Sequence, residues 1–462
     1  MKRILSVAGS DSGGGAGIQA DLKVITILGG YGMSVITALT AQNTIGVQGV
    51  YAVPQEFIAQ QLDAVLSDIG ADAAKTGMLA TPEIVDVVAN GIKKYDIQPL
   101  VVDPVMVAKS GDSLLSEDAR QTLKNSLLPL ATVVTPNLPE AEVLCGCRVQ
   151  NLKEMQEAAR RIHQLGPRYV VIKGGHLKDR PVDLLFDGKA FQTYDASRLN
   201  QRNTHGTGCT FSAALTTFLA TGLPIAEAVG EAKRFITLAI SMGMDIGSGH
   251  GPTNPYAHII GLKERDATLV ELKKAIEFLS YQRLGSLIPE VRSNIGYALP
   301  GAADYNDVAG FPGRISQVGD EVFAYKDPTF GATRHIARVV LAAMKHAPQL
   351  RSAMNIRYNP AILNACKNIG LRMAFFDRRK EPKDVKAREG STLEWGTNQA
   401  LEEFDGIPDL VYDEGDVGKE PMIRVLGKSP MEVVDKINRI KQDLVNGVNM
   451  NAVLPQINPL VA

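Results

Sequence analysis

At 462 residues the chain exceeds what one ordinary hydrophobic core can organise, so at least two domains are expected. Its 49 Lys and Arg residues stand against 50 Asp and Glu, and the net charge of -1 excludes a broad basic footprint for nucleic acid or an anionic membrane. Hydrophobic residues at 45%, no apolar run long enough to cross a bilayer and four cysteines without metal-binding spacing point to a soluble, reduced, cytoplasmic protein.

The N-terminus enters a strand directly, without the apolar core of a signal peptide. Residues 4–8 read as that strand, Gly9-Ser10-Asp11-Ser12-Gly13-Gly14-Gly15-Ala16-Gly17 as a turn, and Ile18, Leu22 and Ile25 as the start of a helix. Such a unit suits a nucleotide or a phosphorylated substrate, although tight packing explains a glycine loop nearly as often. It is not a Walker A loop, because Gly-Lys-Ser/Thr is missing. Asp21 and Gln42 lie near predicted element ends, where they either read a heteroaromatic ring by hydrogen bonds or serve as caps and solvated groups.

Further apolar strands are expected over residues 73–78 and 100–105, separated by amphipathic helices such as 82–94. That alternation predicts a mostly parallel sheet flanked by helices, with ligands at the carboxyl ends of its strands. Asp103 lies at such an end. The strand 132–137 ends in Asn137, and Glu140 follows on the same face of a turn. The pair forms either a helix cap or, with Asp103, oxygen contacts for a hydrated Mg²⁺. Lys173 closes the strand 168–172, where it either meets a phosphate or is solvated. Residues 182–198 read as a hairpin around Asp187-Gly188.

The hairpin leads to Asn203-Thr204-His205-Gly206-Thr207-Gly208-Cys209-Thr210-Phe211-Ser212. Gly206 and Gly208 allow a sharp turn, and Phe211, Ala214, Leu215 and Phe218 mark a helix that begins there. Its N–H groups and dipole suit a phosphate in transfer. Cys209 sits at the positive end, where a lowered thiol pKa and an accessible thiolate are expected. The alternative is a packing turn with an inert cysteine.

These motifs occur in the order found in the hydroxymethylpyrimidine/phosphomethylpyrimidine kinases of thiamine biosynthesis, members of the ribokinase superfamily. The first part of the chain, to about residue 258, resembles them through the run from Val7 to Asp21, Thr40-Ala41-Gln42-Asn43, Lys75-Thr76-Gly77-Met78, Asp103-Pro104-Val105-Met106, Pro136-Asn137-Leu138-Pro139-Glu140 and Gly206-Thr207-Gly208-Cys209. The resemblance implies a ribokinase-like fold and ATP as phosphoryl donor. It implies a pyrimidine pocket shaped by Gly9, Asp21, Gln42, Met78 and Val105. It also implies that Asn137 and Glu140 support Mg²⁺, and that Lys173, Gly206, Thr207 and Gly208 meet phosphate. Most of the superfamily carries Asp at the Cys209 position as general base; the pyrimidine kinases carry Cys.

The domains are expected at 1–260 and 261–462, with residues 259–268 as the junction. A helix is expected through Leu269, Leu272, Ile276 and Leu279, starting near Asp266 or Thr268. Strands near 321–325, 371–376 and 409–411 alternate with helices over 332–345 and 430–446, which predicts a mixed α/β/α layer. Gly313-Arg314, Phe330-Gly331-Ala332-Thr333-Arg334-His335, Asp377-Arg378-Arg379 and the run 413–420 are polar clusters suited to phosphate or diphosphate. They resemble the archaeal-type thiamine phosphate synthase domain, whose fold is similar to class II aldolases. That resemblance implies joining of hydroxymethylpyrimidine diphosphate to thiazole phosphate, with Arg314 and His335 catalytic. Ser391, Glu394 and Asp416 are weaker candidates for substrate or metal contacts.

The favoured expectation is therefore a bifunctional enzyme, working as a homodimer on hydroxymethylpyrimidine, its phosphates and thiazole phosphate. A kinase whose second domain only senses a thiamine precursor is the alternative. A sugar or pyridoxal kinase is set aside because Cys209 and Gln42 stand in the motifs.

Overall fold

A computed structural model describes residues 1–106, 115–175, 177, 181–196, 198–199, 201–302, 304–382, 391–416 and 419–452. The chain divides into two compact units, Met1–Ile260 and Gly261–Ala462.

In the first unit nine strands form one sheet in the order β3-β2-β1-β4-β5-β6-β7-β8-β9. They are β1 (Arg3–Asp11), β2 (Tyr31–Gln42), β3 (Val47–Ala52), β4 (Ala73–Thr76), β5 (Leu100–Val102), β6 (Val133–Val134), β7 (Tyr169–Ile172), β8 (Val182–Phe186) and β9 (Phe191–Asp195). The strands from β2 to β7 run parallel, while β3, β8 and β9 pair antiparallel at the edges. Alternation along the central strands divides the apolar side chains between two faces. Val102, Val134 and Ile172 join one core with α2 (Gln55–Asp68), α3 (Pro82–Lys94) and α6 (Leu152–His163). Val101, Val133 and Val171 join another with α7 (Thr207–Ala220) and α8 (Ile225–Ser241). Both faces are covered, which is why these strands read as continuous apolar runs.

Two of the remaining helices bear on the cavity described below, α1 (Gly17–Ile27) and α5 (Leu138–Cys145). β1 is longer than its apolar run indicates and reaches Asp11. α1 starts at Gly17, whose φ is 56° and where a Cβ would lie 2.3 Å from Gly9 O, so only glycine fits. The hairpin turn forms at Asp187, whose Oδ1 accepts Lys189 N at 2.8 Å and Ala190 N at 2.6 Å.

The second unit begins within α9 (Ala257–Tyr281), which runs through residues 259–268 rather than starting near Asp266 or Thr268. Good helix formers from Leu262 onward carry the helix past Gly261, and its start lies just after Asn254-Pro255, where Asn254 Oδ1 accepts Tyr256 N at 3.1 Å. Its sheet has the order β14-β11-β10-β15-β18-β17-β16. The strands are β10 (Ile295–Ala298), β11 (Val308–Gly310), β14 (Thr329–Phe330), β15 (Ser352–Arg357), β16 (Met373–Phe375), β17 (Leu410–Asp413) and β18 (Met422–Gly427). Of the pairs in this sheet, β16 and β17 are parallel and the others antiparallel. The predicted strand near 321–325 instead pairs as β13 (Glu321–Ala324) with β12 (Ile315–Val318) in a separate ribbon. Helices cover both faces. Leu272, Ile362 and Val433 pack on Met354 and Val425, whereas Ile336, Val340 and Leu401 pack on Ala353 and Leu426. Among the described residues no helix is long and apolar enough to cross a membrane.

Candidate active site

The carboxyl ends of β1, β4, β5, β6 and β7 and the start of α7 surround a cavity of about 650 Å³. Gly9, Gln42, Met78 and Val105 line one part; Asp103, Asn137, Glu140 and Lys173 line another, with Gly206, Thr207, Gly208 and Cys209 between. A β-carbon at Gly9 would lie 3.4 Å from Met78 Sδ, so glycine keeps that wall flat.

The α7 turn packs directly on the first glycine loop. Gly206 has φ 77°, and a Cβ there would stand 1.8 Å from Gly15 O. Thr207 Oγ1 donates to Thr204 O at 2.7 Å. The first turn of α7 thus opens toward the cavity with N–H groups that have no intrahelical acceptor. Lys173 Nζ donates to Asp103 Oδ1 at 2.9 Å, and a Cβ on Gly208 would lie 3.4 Å from both Lys173 Nζ and Asp103 Oδ2. Thr135 Oγ1 and Ser212 Oγ donate to the two Asp103 oxygens at 3.2 and 3.3 Å. Burial works to raise the Asp103 carboxyl, but the Lys173 and Lys75 charges and these donors outweigh it and hold it below the ordinary value.

Asn137 and Glu140 form a capping box for α5. Asn137 Oδ1 accepts Glu140 N at 2.9 Å, and Glu140 Oε2 accepts Asn137 N at 2.8 Å. Both also line the cavity. Burial, with a smaller push from Asp103, raises the Glu140 carboxyl to about 7 against the pull of Lys173. Among the described residues no group of three or more His, Cys, Asp or Glu side chains is placed to hold a metal ion. Asn137, Glu140 and Asp103 bring only a few oxygens to this wall, so a cation held there would need water or phosphate to complete its coordination.

Two expectations change. Asp21 does not line the cavity: it is fully buried, with Ser6 Oγ donating to Oδ2 at 2.6 Å and Lys75 Nζ to Oδ1 at 2.9 Å. A carboxylate inside α1 needs a charge partner, and Lys75 on β4 supplies it. The Cys209 thiol is not lowered but pushed up to about 11. Burial is the main cause and the negative charges of Asp21 and Asp103 add to it; Lys75 and the Gly17 N–H oppose it. The helix end alone does not decide this site.

Asp11 and His205 are site residues that the sequence reading left without a role. Asp11 Oδ1 accepts Gly13 N at 2.8 Å, and Oδ2 accepts Gly15 N at 3.0 Å and Ala16 N at 2.8 Å. His205 Nε2 lies 2.9 Å from the same Oδ2. Burial would raise the Asp11 carboxyl, yet His205 and the backbone donors leave it below its ordinary value. The signal was an acid closing β1 ahead of the glycines and a histidine opening the second turn.

In the second unit Arg314 and His335 are both exposed. Arg314 has φ 70° in the turn before β12 and donates to Val291 O at 2.5 Å. His335 opens α10 (His335–His346). Glu394 pairs with Lys345 at 2.7 Å, Asp416 N donates to Lys419 O at 3.1 Å, and the Ser391 side chain, like residues 417 and 418 of the acidic run, lies outside the described residues. The buried charge centre is elsewhere. Asp413 accepts from Arg378 Nε at 2.6 Å and from Arg424 Nη1 at 2.7 Å, with all three side chains almost wholly enclosed.

Residues 11–254 match the phosphomethylpyrimidine kinase family model. The chain belongs to that family. Residues 271–439 match the model described as thiamine-phosphate synthase ThiN. The family segment is 54% identical over 262 residues to the thiamine biosynthesis bifunctional protein ThiED of Geobacter sulfurreducens, covering 56% of this chain and 53% of that one. The chain thus spans about half the length of that relative. It is 48% identical over 257 residues to the hydroxymethylpyrimidine/phosphomethylpyrimidine kinase of Bacillus subtilis, covering 55% of this chain and 95% of the kinase. The ADP complex of Bacillus subtilis pyridoxal kinase superposes with a TM-score of 0.54 at 42% identity, over 56% of this chain and 99% of that one. The first unit therefore has the ribokinase-like architecture of this kinase family.

Proposed function

We propose that the first unit transfers phosphoryl groups from ATP to 4-amino-5-hydroxymethyl-2-methylpyrimidine twice, giving the phosphate and then the diphosphate. The carrying observation is the convergence of the α7 N-terminus, Lys173 and Cys209 on one cavity, in a member of this kinase family. Gly9, Gln42, Met78 and Val105 form the wall for the ring. The α7 N–H groups and Lys173 meet the transferring phosphoryl oxygens, where positioning and charge stabilisation do most of the work. Asn137, Glu140 and Asp103 stand where a hydrated Mg²⁺ would be held on the phosphates, and the ion would neutralise charge that develops there.

In the first transfer the substrate alcohol attacks the γ-phosphorus, ADP leaves, and a proton must go to a base. Cys209 is the candidate, acting through the small thiolate fraction that its raised pKa permits. In the second transfer an already anionic phosphate oxygen attacks, so no base is required. The second unit joins the resulting diphosphate to thiazole phosphate. The thiazole nitrogen bonds to the pyrimidine methylene as the carbon–oxygen bond breaks and diphosphate leaves, with Arg314 and His335 meeting the leaving group. The ThiN match of residues 271–439 supports this reading. Leu39 and Tyr51, paired across β2 and β3 and both exposed, support a homodimer, which light scattering reads directly.

A second reading follows from the likeness to pyridoxal kinase: the first unit phosphorylates pyridoxal. Incubating the chain with ATP, Mg²⁺ and each vitamin precursor separates the two. Sequential pyrimidine phosphate and diphosphate support the main reading, and phosphorylation of pyridoxal alone supports the second.

A further inference from the structure

His205, Asp11 and Gln42 meet at one edge of the cavity, and their donors and acceptors can be assigned by elimination. Asp11 is an ionised carboxylate that already accepts three backbone N–H groups. It has no proton to give. His205 Nε2, 2.9 Å away, must therefore carry the hydrogen of that contact. The imidazole cannot turn freely, because it packs on the glycine loop; a Cβ on Gly15 would lie 2.4 Å from its Cδ2.

The side-chain amide of Gln42 has one end 3.3 Å from the same His205 Nε2 and the other 3.2 Å from Thr40 Oγ1. With its nitrogen toward His205, two N–H groups would oppose each other. With its oxygen there, Gln42 accepts from the Nε2–H that Asp11 also receives. The other end then has a matching partner, because Thr40 Oγ1 spends its hydrogen on Ser10 O at 2.9 Å and offers a lone pair to the Gln42 nitrogen. Oxygen and nitrogen of an amide are interchangeable in shape, so this network decides the orientation.

We infer that His205 is a positioning residue which, held by Asp11, fixes the Gln42 amide so that one of its N–H groups is presented to the cavity as a donor for a ring-nitrogen acceptor of the substrate. The inference rests on the reading that the pyrimidine lies against Gln42. It makes His205 a determinant of substrate recognition without contact with the reacting atoms.

Two measurements test it on the full chain. Long-range ¹H–¹⁵N spectra read the His205 tautomer, with His205→Gln supplying the assignment. Steady-state kinetics of the first phosphorylation compare wild type, His205→Ala, His205→Gln and Gln42→Glu. A protonated Nε2 is expected. His205→Ala should raise KM for the pyrimidine about tenfold, the scale of one hydrogen bond, with kcat changed no more than about twofold. His205→Gln, which keeps a donor for Asp11, should recover most of the loss, and Gln42→Glu, which has no donor, should behave like His205→Ala. An unprotonated Nε2 overturns the inference. So does a His205→Ala variant that loses kcat at unchanged KM and is not rescued by Gln. Wild type that shows the Nε2 proton but phosphorylates no pyrimidine would overturn the substrate reading beneath it and leave the tautomer standing.

Discussion

Lys75 Nζ donates to Asp21 Oδ1 at 2.9 Å, and neither side chain has any solvent exposure. This pair bears on the Cys209 thiol from inside the protein, Lys75 favouring the thiolate and Asp21 opposing it. Asp21→Asn removes the opposing charge and should lower the Cys209 pKa below its present value of about 11. The pH dependence of Cys209 alkylation, followed by peptide mass spectrometry, should shift to lower pH. Because the variant also breaks a buried ion pair, its unfolding free energy should fall by about 3–5 kcal/mol. A higher KM for the pyrimidine with an unshifted alkylation profile would return Asp21 to the pocket wall.

The two transfers should respond differently to Cys209. If the thiolate takes the alcohol proton, the first phosphorylation should rise about tenfold per pH unit from about pH 7 to pH 10, while the second stays flat. The direction follows from the raised thiol pKa, since the thiolate fraction grows throughout that window. Cys209→Ala should slow the first step by roughly 10²–10⁴ and the second far less. Rapid-quench assays started from the alcohol and from the monophosphate give the two rates, and equal losses would remove Cys209 from the role of base.

Glu140 titrates at about 7 in the folded chain against an ordinary value of 4.5. The folded state therefore holds a proton that the unfolded state has released, so stability is fully present below about pH 4.5 and declines as pH rises through 7. The decline is on the order of 3 kcal/mol for a shift of this size. Glu140→Gln keeps a side-chain acceptor for Asn137 N and should flatten this limb, leaving the variant more stable than wild type above pH 7 in the absence of ligands. Urea unfolding at a series of pH values reads the effect, and superimposable pH profiles would contradict it.

The parallel sheet was legible because central strands covered on both faces must be apolar throughout, as Leu100, Val101 and Val102 are. The hairpin and α3 were legible from local patterns, the Asp187-Gly188 turn and the amphipathic spacing of residues 82–94. Long-range pairing was not. Asp21 finds Lys75 54 residues away, and His205 finds Asp11 194 residues away, so neither contact leaves a local pattern. Cys209 was misjudged for the same reason: its helix end is local, whereas its burial and the charges of Asp21 and Asp103 come from distant strands and helices. In the second unit, short strands such as Val308–Gly310 are too brief for an alternation to reveal which sheet or ribbon they join. The Arg378–Asp413–Arg424 centre joins residues of two polar clusters recognised in the sequence, but Arg424 sits among apolar neighbours on β18 and gave no such signal.

The central claim is that one chain makes the pyrimidine diphosphate and consumes it. The direct measurement is thiamine phosphate formation by the full chain from hydroxymethylpyrimidine, ATP, Mg²⁺ and thiazole phosphate, with His335→Ala alongside. Thiamine phosphate from wild type, and pyrimidine diphosphate accumulating in the variant, is the predicted result. A wild-type chain that builds the diphosphate and stops there would contradict the account and leave the second unit as a sensing domain.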